Sequence, residues 1–357
     1  MVVSQNSSID SLKRILPFAK TDTAIANVYN HLANEYKEIN PDTTLFFSKK
    51  AFNLSKKQSY QYGIANSYIN TGNAMIVLGK YNEAKNSFNT ANKIYQEELQ
   101  NNENDVDLQK GLARTFASLG VIYSQESNYY VALENYQKAL NIYQKINHKT
   151  SISKALNNIG VVYKSQGNYD KALEYFRKAL KIQIETGEQT APVTMTNIGV
   201  IFFEKNDLKT AYSYYKKAEN LFPKTNNIRG FALLKNYLGD YYKKSNKVAE
   251  ATNCYNKSLE LYNSIQNKFG ASLALYNLGQ LYAEQKQYEK AMEYAMSSLN
   301  YAKEIGVLDQ TYHSEKLVSE LYGYLNKPNE SLVHYKNYIA ARDSITNLEN
   351  NKKFVEA

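Results

Sequence analysis

The sequence predicts an all-α solenoid of about eight helical hairpins, and three observations predict it. Glycines recur at a nearly constant interval: Gly120, Gly160, Gly199, Gly239 and Gly279, with Ser319 closing the series, are spaced by 40, 39, 40, 40 and 40 residues. Twelve positions after each stands a small residue (Ala132, Ala172, Ala211, Ala251, Ala291, Ser331). An aromatic follows four later at Tyr136, Phe176, Tyr215, Tyr255 and Tyr335, with Ala295 the exception. Self-similarity at such a period marks units that stack because none can bury its apolar face alone. Finally, the chain holds only five prolines in 357 residues, which leaves long stretches free to be helical.

Taken in order, residues 6–20 read as a short amphipathic helix with Ile9, Leu12, Ile15 and Leu16 on one side, which places a capping helix over residues 1–20. The first unit is weak and rests on Ala33, Tyr36 and Ala51, with a turn at Asn40 to Asp42. The second carries Gly72, Ala84, Phe88 and Ala91. Its glycine lies 48 residues before Gly120, because a polar insert around Asn101–Gln109 lengthens that connection. The eight units span about 21–54, 65–98, 113–146, 153–186, 192–225, 232–265, 272–305 and 312–345, and a polar helical extension covers 346–357. Each is a helix–turn–helix pair. The small residues let the two helices approach, and the aromatics fill the gaps, joined by the tyrosines three after each glycine (Tyr123, Tyr163, Tyr242, Tyr282). Turns such as Gln166-Gly167-Asn168 provide a glycine for a left-handed cap.

Composition bounds the function. Hydrophobic residues make up 43% and charged residues 22%, which is a folded rather than a disordered chain. Tyrosine is abundant at 33 residues, as suits half-buried helix seams with polar tips. The net charge of +9 is scattered in ones and twos, as at Lys49-Lys50 and Lys216-Lys217, without a run of five; this argues for a solvated surface and against nucleic acid. Cys254 is the sole cysteine and reads as a small buried hydrophobe. No stretch of 18 apolar residues exists to span a bilayer, and the start lacks an apolar signal core. The compartment is therefore periplasmic if a signal peptide has been removed ahead of residue 1, and cytoplasmic otherwise.

Leu156, Ile159, Gly160, Tyr163, Gly167, Tyr169, Ala172, Phe176 and Ala179 follow one another in a pattern that resembles the tetratricopeptide repeat (TPR). The resemblance covers nearly the whole chain and implies a right-handed superhelical solenoid whose first helices line a concave face. Two departures stand out: a period of 40 rather than about 34, and the absence of the motif's proline from most units. Six extra residues per unit add roughly 9 Å of helix, so the superhelix pitch should differ from the short form. Kinesin light chains and bacterial peptide-receptor regulators use similar long units. The polar ending from Ala341 to Ala357 resembles the junction in Bacteroidetes sensor proteins, where a TPR region leads into a coiled coil, a transmembrane helix and a histidine kinase, nucleotide cyclase or DNA-binding output. That resemblance implies the sensor part of a signalling protein.

Chemistry is sparse. His31, His148, His313 and His334 are isolated from one another, and neither a metal spacing, a phosphate-loop glycine motif nor a nucleophile elbow occurs. No cofactor and no catalytic residue is expected. Asparagines recur at two positions before the glycine (Asn70, Asn158, Asn197, Asn277) or three (Asn157, Asn236). An amide that both donates and accepts can hold the backbone of an extended peptide without reading its side chains, and groove asparagines have this role in the peptide-binding proteins the chain resembles. Arg114, Lys154, Lys164 and Lys243 fall on nearby turns, where they would meet acidic side chains or a peptide C-terminus. The competing readings are that the asparagines satisfy inter-helix backbone groups, that the lysines are merely solvated, and that the tyrosine series is core.

The sequence thus predicts a protein that binds a peptide or protein segment in its concave groove. Its rivals are an assembly scaffold, homodimeric through a terminal repeat, and an enzyme on a helical toroid. The repeat frame itself is testable. Ala172→Leu should overpack the helix pair and lower the melting temperature; a variant melting no lower than the parent would sink the frame.

Overall fold

The computed structural model describes residues 5–37 and 40–356, with side chains for 8–37 and 40–346. The first four residues of the capping segment and the last residue of the C-terminal extension lie outside them. Among the described residues every regular element is helical. The chain divides into two units, Met1–Ile201 and Phe202–Ala357.

The first unit opens with α1 (Gln5–Ile15), whose Ile9 packs on Val28 and Leu32 of α2 (Asp22–Tyr36). Hairpins follow: α2 with α3 (Pro41–Lys57), α4 (Gln61–Val77) with α5 (Tyr81–Asn101), α6 (Val106–Gln125) with α7 (Tyr129–Lys145), and α8 (Lys149–Ser165) with α9 (Tyr169–Thr186). The boundary between units falls within α10 (Ala191–Glu204). In the second unit lie α11 (Leu208–Leu221), then α12 (Ile228–Lys244) with α13 (Val248–Ser264), α14 (Lys268–Glu284) with α15 (Tyr288–Glu304), and α16 (Leu308–Tyr324) with α17 (Pro328–Glu356). The C-terminal extension continues α17 without a break. First helices of successive hairpins touch directly, α2 to α4 to α6 to α8 in one unit and α12 to α14 to α16 in the other. This contact makes a continuous first-helix face within each unit.

The turns explain why a helix stops where the next begins. At Gly167, φ is +73°. Its N–H donates to the Lys164 carbonyl at 3.0 Å, while the Asn168 N–H donates to the Tyr163 carbonyl at 2.9 Å. These are the paired bonds of a Schellman cap. Asn168 then caps the next helix, its Oδ1 accepting from the Lys171 N–H at 3.2 Å. One residue therefore closes α8 and opens α9. The same geometry recurs with Asn206 before Asp207 and with Gln266 before Asn267. Asparagine tolerates the left-handed conformation well enough to stand where glycine would be cheapest.

Two steric locks set the packing. Within a hairpin, the recurring glycine faces the recurring aromatic: a Cβ on Gly160 would stand 2.7 Å from the fully buried Phe176 ring, and Gly72 faces Phe88 and Gly120 faces Tyr136 at the same 2.7 Å. The second lock joins a hairpin to the next one. Tyr95 on α5 covers Gly111 on α6, and Tyr262 on α13 covers Gly270 on α14, each nearer than 3.0 Å to the missing Cβ. Burying such a ring contributes about 1.5–3 kcal/mol.

The last hairpin departs from this plan. Ser319 stands at the glycine position and Ser331 at the small position. Ser319 Oγ donates to the Ser331 carbonyl at 2.9 Å, and Ser331 Oγ returns a bond to the Ser319 carbonyl at 2.8 Å. Tyr335, which the repeat frame aligns with the buried aromatics, is 52% exposed. A polar clasp replaces the aromatic lock there.

A pairing of first-helix and second-helix aromatics also repeats along the chain. Tyr163 stacks on Tyr175 (5.5 Å between centroids), Tyr282 on Tyr294 (5.4 Å) and Tyr322 on His334 (5.3 Å). Lysine ammoniums cover two of these rings, Lys171 over Tyr163 and Lys290 over Tyr282. These tyrosines are half-buried seams rather than sealed core.

The within-hairpin lock makes a direct prediction. Gly160→Ala should cost about 1–3 kcal/mol in urea denaturation, because its methyl collides with a ring that has nowhere to go. Adding Phe176→Leu should make the Gly160→Ala step cheaper than it is in the parent, a coupling that a double-mutant cycle reads directly. Equal costs in both backgrounds would contradict the lock.

Candidate functional site

On the first-helix face of the first unit, the repeat brings two predicted asparagines together. Asn157 of α8 and Asn197 of α10 lie 40 residues apart, and their side chains meet: Asn197 Nδ2 donates to Asn157 Oδ1 at 3.5 Å. The same oxygen accepts from Thr194 Oγ1 at 3.0 Å, and Asn197 Oδ1 accepts from Lys164 Nζ at 3.4 Å. The result is a half-buried rung of two amides, a hydroxyl and an ammonium running from α8 to α10. Asn158, next in the chain, is half-exposed and makes no side-chain hydrogen bond among the described residues, and Lys154 is exposed one turn earlier.

Asn70 sits differently. It is 1% exposed and its Nδ2 donates to the Asn30 carbonyl at 3.0 Å and to Asn30 Oδ1 at 3.1 Å. Asn30 in turn donates to the Gly63 carbonyl at 3.0 Å. This buried network stitches α2 to α4. Arg114 of α6 reaches back to α4, donating from Nη1 to Asn66 Oδ1 at 3.1 Å.

In the second unit Asn277 is half-exposed, and Lys243 of α12 is paired with Glu284 of α14 at 2.9 Å. Asn236 is 2% exposed, and neither its amide oxygen nor its amide nitrogen has a partner. One turn further along α12 stands half-buried Asp240, which accepts a hydrogen bond from the Tyr255 hydroxyl at 2.7 Å. Burial raises the Asp240 carboxyl above the usual aspartate range; the Tyr255 bond and Lys243 oppose the rise, and the Glu204 charge adds to it. Tyr215 of α11 lies fully buried beside this group, its ring parallel to Tyr237 at 6.3 Å. Burial, Tyr237, Asp240 and Glu204 all hold the Tyr215 phenol protonated. The sequence does carry a signal for Asp240. It occupies the position after the recurring glycine, where three earlier units have Val121, Val161 and Val200.

Other chemistry is accounted for by packing. Burial pushes the Cys254 thiol up to about 11, so it stays protonated at neutral pH. No group of three His, Cys, Asp or Glu among the described residues could hold a metal ion. No helix there is long and apolar enough to cross a membrane. Glu315 on α16 is fully buried and bound by Lys303 Nζ at 2.7 Å, His334 Nδ1 at 2.5 Å and Asn337 Nδ2 at 3.3 Å, which ties α17 to its neighbours.

Helical hairpins stacked through their first helices, with a glycine and an aromatic interlocked at Gly72, Gly120, Gly160 and Gly239, define a helical-repeat binding scaffold. The tetratricopeptide repeat model matches residues 111–185, 151–224 and 231–304, and the chain belongs to that family. A model of the SusR N-terminal TPR domain matches residues 2–106. No curated protein sequence matches the chain. Among solved structures, the apo quorum sensor NprR from B. thuringiensis is similar with a TM-score of 0.65 at 13% identity, covering 94% of this chain and 98% of that one. The Rap conjugation gene regulator of plasmid pLS20, in complex with the Phr* peptide, is similar with a TM-score of 0.63 at 16% identity, covering 96% of each. Aspartyl phosphate phosphatase F from Bacillus subtilis has a TM-score of 0.59 at 12% identity, covering 95% and 94%. At these identities the likeness is one of fold.

Asp240 carries a pH signature. A carboxyl raised in the folded state binds its proton more tightly there than in the unfolded chain, so its stabilising contribution is complete below the unfolded value near 3.9 and is lost as pH rises through the folded value. Asp240→Asn keeps an acceptor for Tyr255 and removes the ionisation. The variant should melt higher than the parent at pH 7, with the gap closing as pH falls toward 4. A constant gap from pH 4 to 7, or a lower melting point at pH 7, would contradict the assignment.

Proposed function

We propose that the first-helix face binds an extended peptide or protein segment, and that the chain is the sensing or interaction module of a bacterial signalling protein rather than an enzyme. The rung of Asn157, Thr194, Asn197 and Lys164 carries this reading. Its amides sit one repeat apart and half-exposed, and amides at such spacing can bracket a peptide backbone while an ammonium meets a carboxylate. Asn158 beside it and Asn277 in the second unit have their amides uncommitted. Asn70 serves the α2–α4 seam in this reading, Arg114 and Lys154 supply positive charge on the first-helix face of the first unit, and Lys243 is neutralised by Glu284 in the second. The peptide bound to the Rap conjugation gene regulator supports the same use of a similar fold. Ligand binding would work by shifting the hairpin stack, since many modest interfaces between repeats respond to modest binding energy.

An assembly scaffold is the second reading, favoured by the exposed Tyr324, Leu332, Val333 and Tyr335 on the last hairpin. It places the partner on that end instead of on the first-helix face.

Selection of displayed random peptides on the purified chain separates the two. A selected peptide should lose about tenfold or more in affinity against Asn197→Ala or Lys164→Met, each removing a charge-assisted or amide contact, with no change in melting temperature. Asn70→Ala should do the reverse, lowering stability by about 1–3 kcal/mol with affinity retained. A peptide indifferent to Asn197 and Lys164 but lost on Leu332→Asp would transfer the site to the terminal hairpin.

A further inference from the structure

We infer that the open face of the last hairpin is a docking groove for an amphipathic helix of a partner protein, one that presents apolar anchors at positions i, i+4 and i+7. The inference takes up the terminal-end reading above and names its partner, and it holds whether or not the first-helix face binds a peptide.

The array itself displays the occupant that such a face takes. α16 docks on the preceding hairpin through Leu317, Leu321 and Tyr324. Leu317 Cδ2 lies 3.2 Å from where a Gly279 Cβ would stand, a point also 3.3 Å from the Ala295 nitrogen and 3.4 Å from the Ala291 carbonyl oxygen. Leu321 is buried in one cluster with Ala291 and Ala295, with Met292 packed against it. Tyr324 stacks on Tyr288 of α15 at 4.7 Å. Helix-in-groove recognition uses this anchor spacing.

One repeat on, the equivalents of Gly279, Tyr288, Ala291, Met292 and Ala295 are Ser319, Pro328, Ser331, Leu332 and Tyr335. With Gly323 they line an open recess of about 550 Å³. Leu332 and Tyr335 are exposed there, whereas Met292 is half-buried and Ala295 fully buried. Ser319 and Ser331 satisfy each other, so the floor makes no polar demand on what enters. A Cβ on Gly323 would find only the Ser331 Oγ within 4 Å, at 3.9 Å. A mid-helix glycine costs helix stability, and here it leaves room for a side chain from outside. The chain does not supply that helix in register: the turn at 305–307 between α15 and α16 corresponds to 345–347, where α17 runs on unbroken to Glu356. A second copy fits less well, because the apolar anchors of its own first helices, such as Ile198, Leu238 and Leu278, are buried in its stack.

The probe is a fluorescein-labelled peptide of the α16 sequence, Leu308–Tyr324, held helical by a hydrocarbon staple between positions 315 and 319, away from the anchors. Its anisotropy is read against the full chain. The peptide should bind saturably, and Leu317→Asp within it should abolish binding. In the protein, Leu332→Asp charges the recess and Gly323→Leu fills it. Each should weaken binding about tenfold or more without lowering the melting temperature. Binding indifferent to both variants would overturn the groove, as would no binding; neither result touches the first-helix reading, whose peptides answer to Asn197 and Lys164. Loss on Asn197→Ala with retention on Leu332→Asp would place the probe on the first-helix face and overturn the groove. A chain that ignores the probe and sediments as a dimer until Leu332→Asp makes it a monomer would overturn the helix partner in favour of a second copy.

Discussion

The contact on which this structure depends is the one between a missing side chain and a ring. Where Gly160 would carry a Cβ, the Phe176 ring sits 2.7 Å away, so the absent side chain lets the two helices approach until that ring fills the gap, and no closer. The same ring can go nowhere else, because a fully buried aromatic on a second helix has one cleft to fill. Distance and register between α8 and α9 are therefore set together. Repeating the lock at Gly72, Gly120 and Gly239 gives hairpins of like geometry, and the second lock, Tyr95 on Gly111 and Tyr262 on Gly270, hands that geometry to the next hairpin. Because both locks are steric, they tolerate variation everywhere else on the helices. The first-helix face is free to carry polar residues without loosening the stack.

That freedom explains why the polar groups come in rungs. Equivalent positions of successive first helices stand close, so side chains 40 residues apart can touch, as Asn157 and Asn197 do across α8 and α10 and as Asn30 and Asn70 do across α2 and α4. The two pairs use one geometry at different depths. The Asn30–Asn70 pair is sealed, its amide nitrogens donating to backbone carbonyls, whereas the Asn157–Asn197 pair is half-open and recruits Lys164. Function at such a face is a matter of how deep a shared rung lies.

Depth is what the sequence could not express. The within-hairpin lock was legible because its partners keep their type: glycine, alanine and an aromatic recur at fixed offsets. The second lock follows an equally fixed offset but changes identity, with Tyr95, Phe222 and Tyr262 aromatic and Gln183 and Ala302 not, so pattern reading passes over it. The asparagine series was legible as a series. Adjacent positions on a helix differ by about 100°, however, so two and three residues before the glycine straddle the line between seam and face. Asn236 falls on the buried side and Asn158 on the open side. Asp240 could be read only by asking which unit breaks the valine series after the glycine. Tyr335 fits the frame yet lies exposed, because Ser319 in place of glycine closes the cleft that a ring would enter.

The last hairpin shows what happens when the steric lock is given up. Its helices are held by reciprocal serine bonds and by Glu315, a buried carboxylate gripped by Lys303, His334 and Asn337. Buried ion pairs add little net stability, since desolvation offsets the attraction, but removing one partner strands a charge and is costly. Such a clasp therefore enforces one arrangement more than it strengthens it. An aromatic lock does the opposite: its energy is large, and it is indifferent to charge and salt. The terminal hairpin, from which α17 runs on to Glu356, is thus the part of the array whose docking depends on electrostatics. A change of charge near Glu315 would act where α15, α16 and α17 meet, while hairpins locked by a buried ring, such as α8 with α9, keep their geometry.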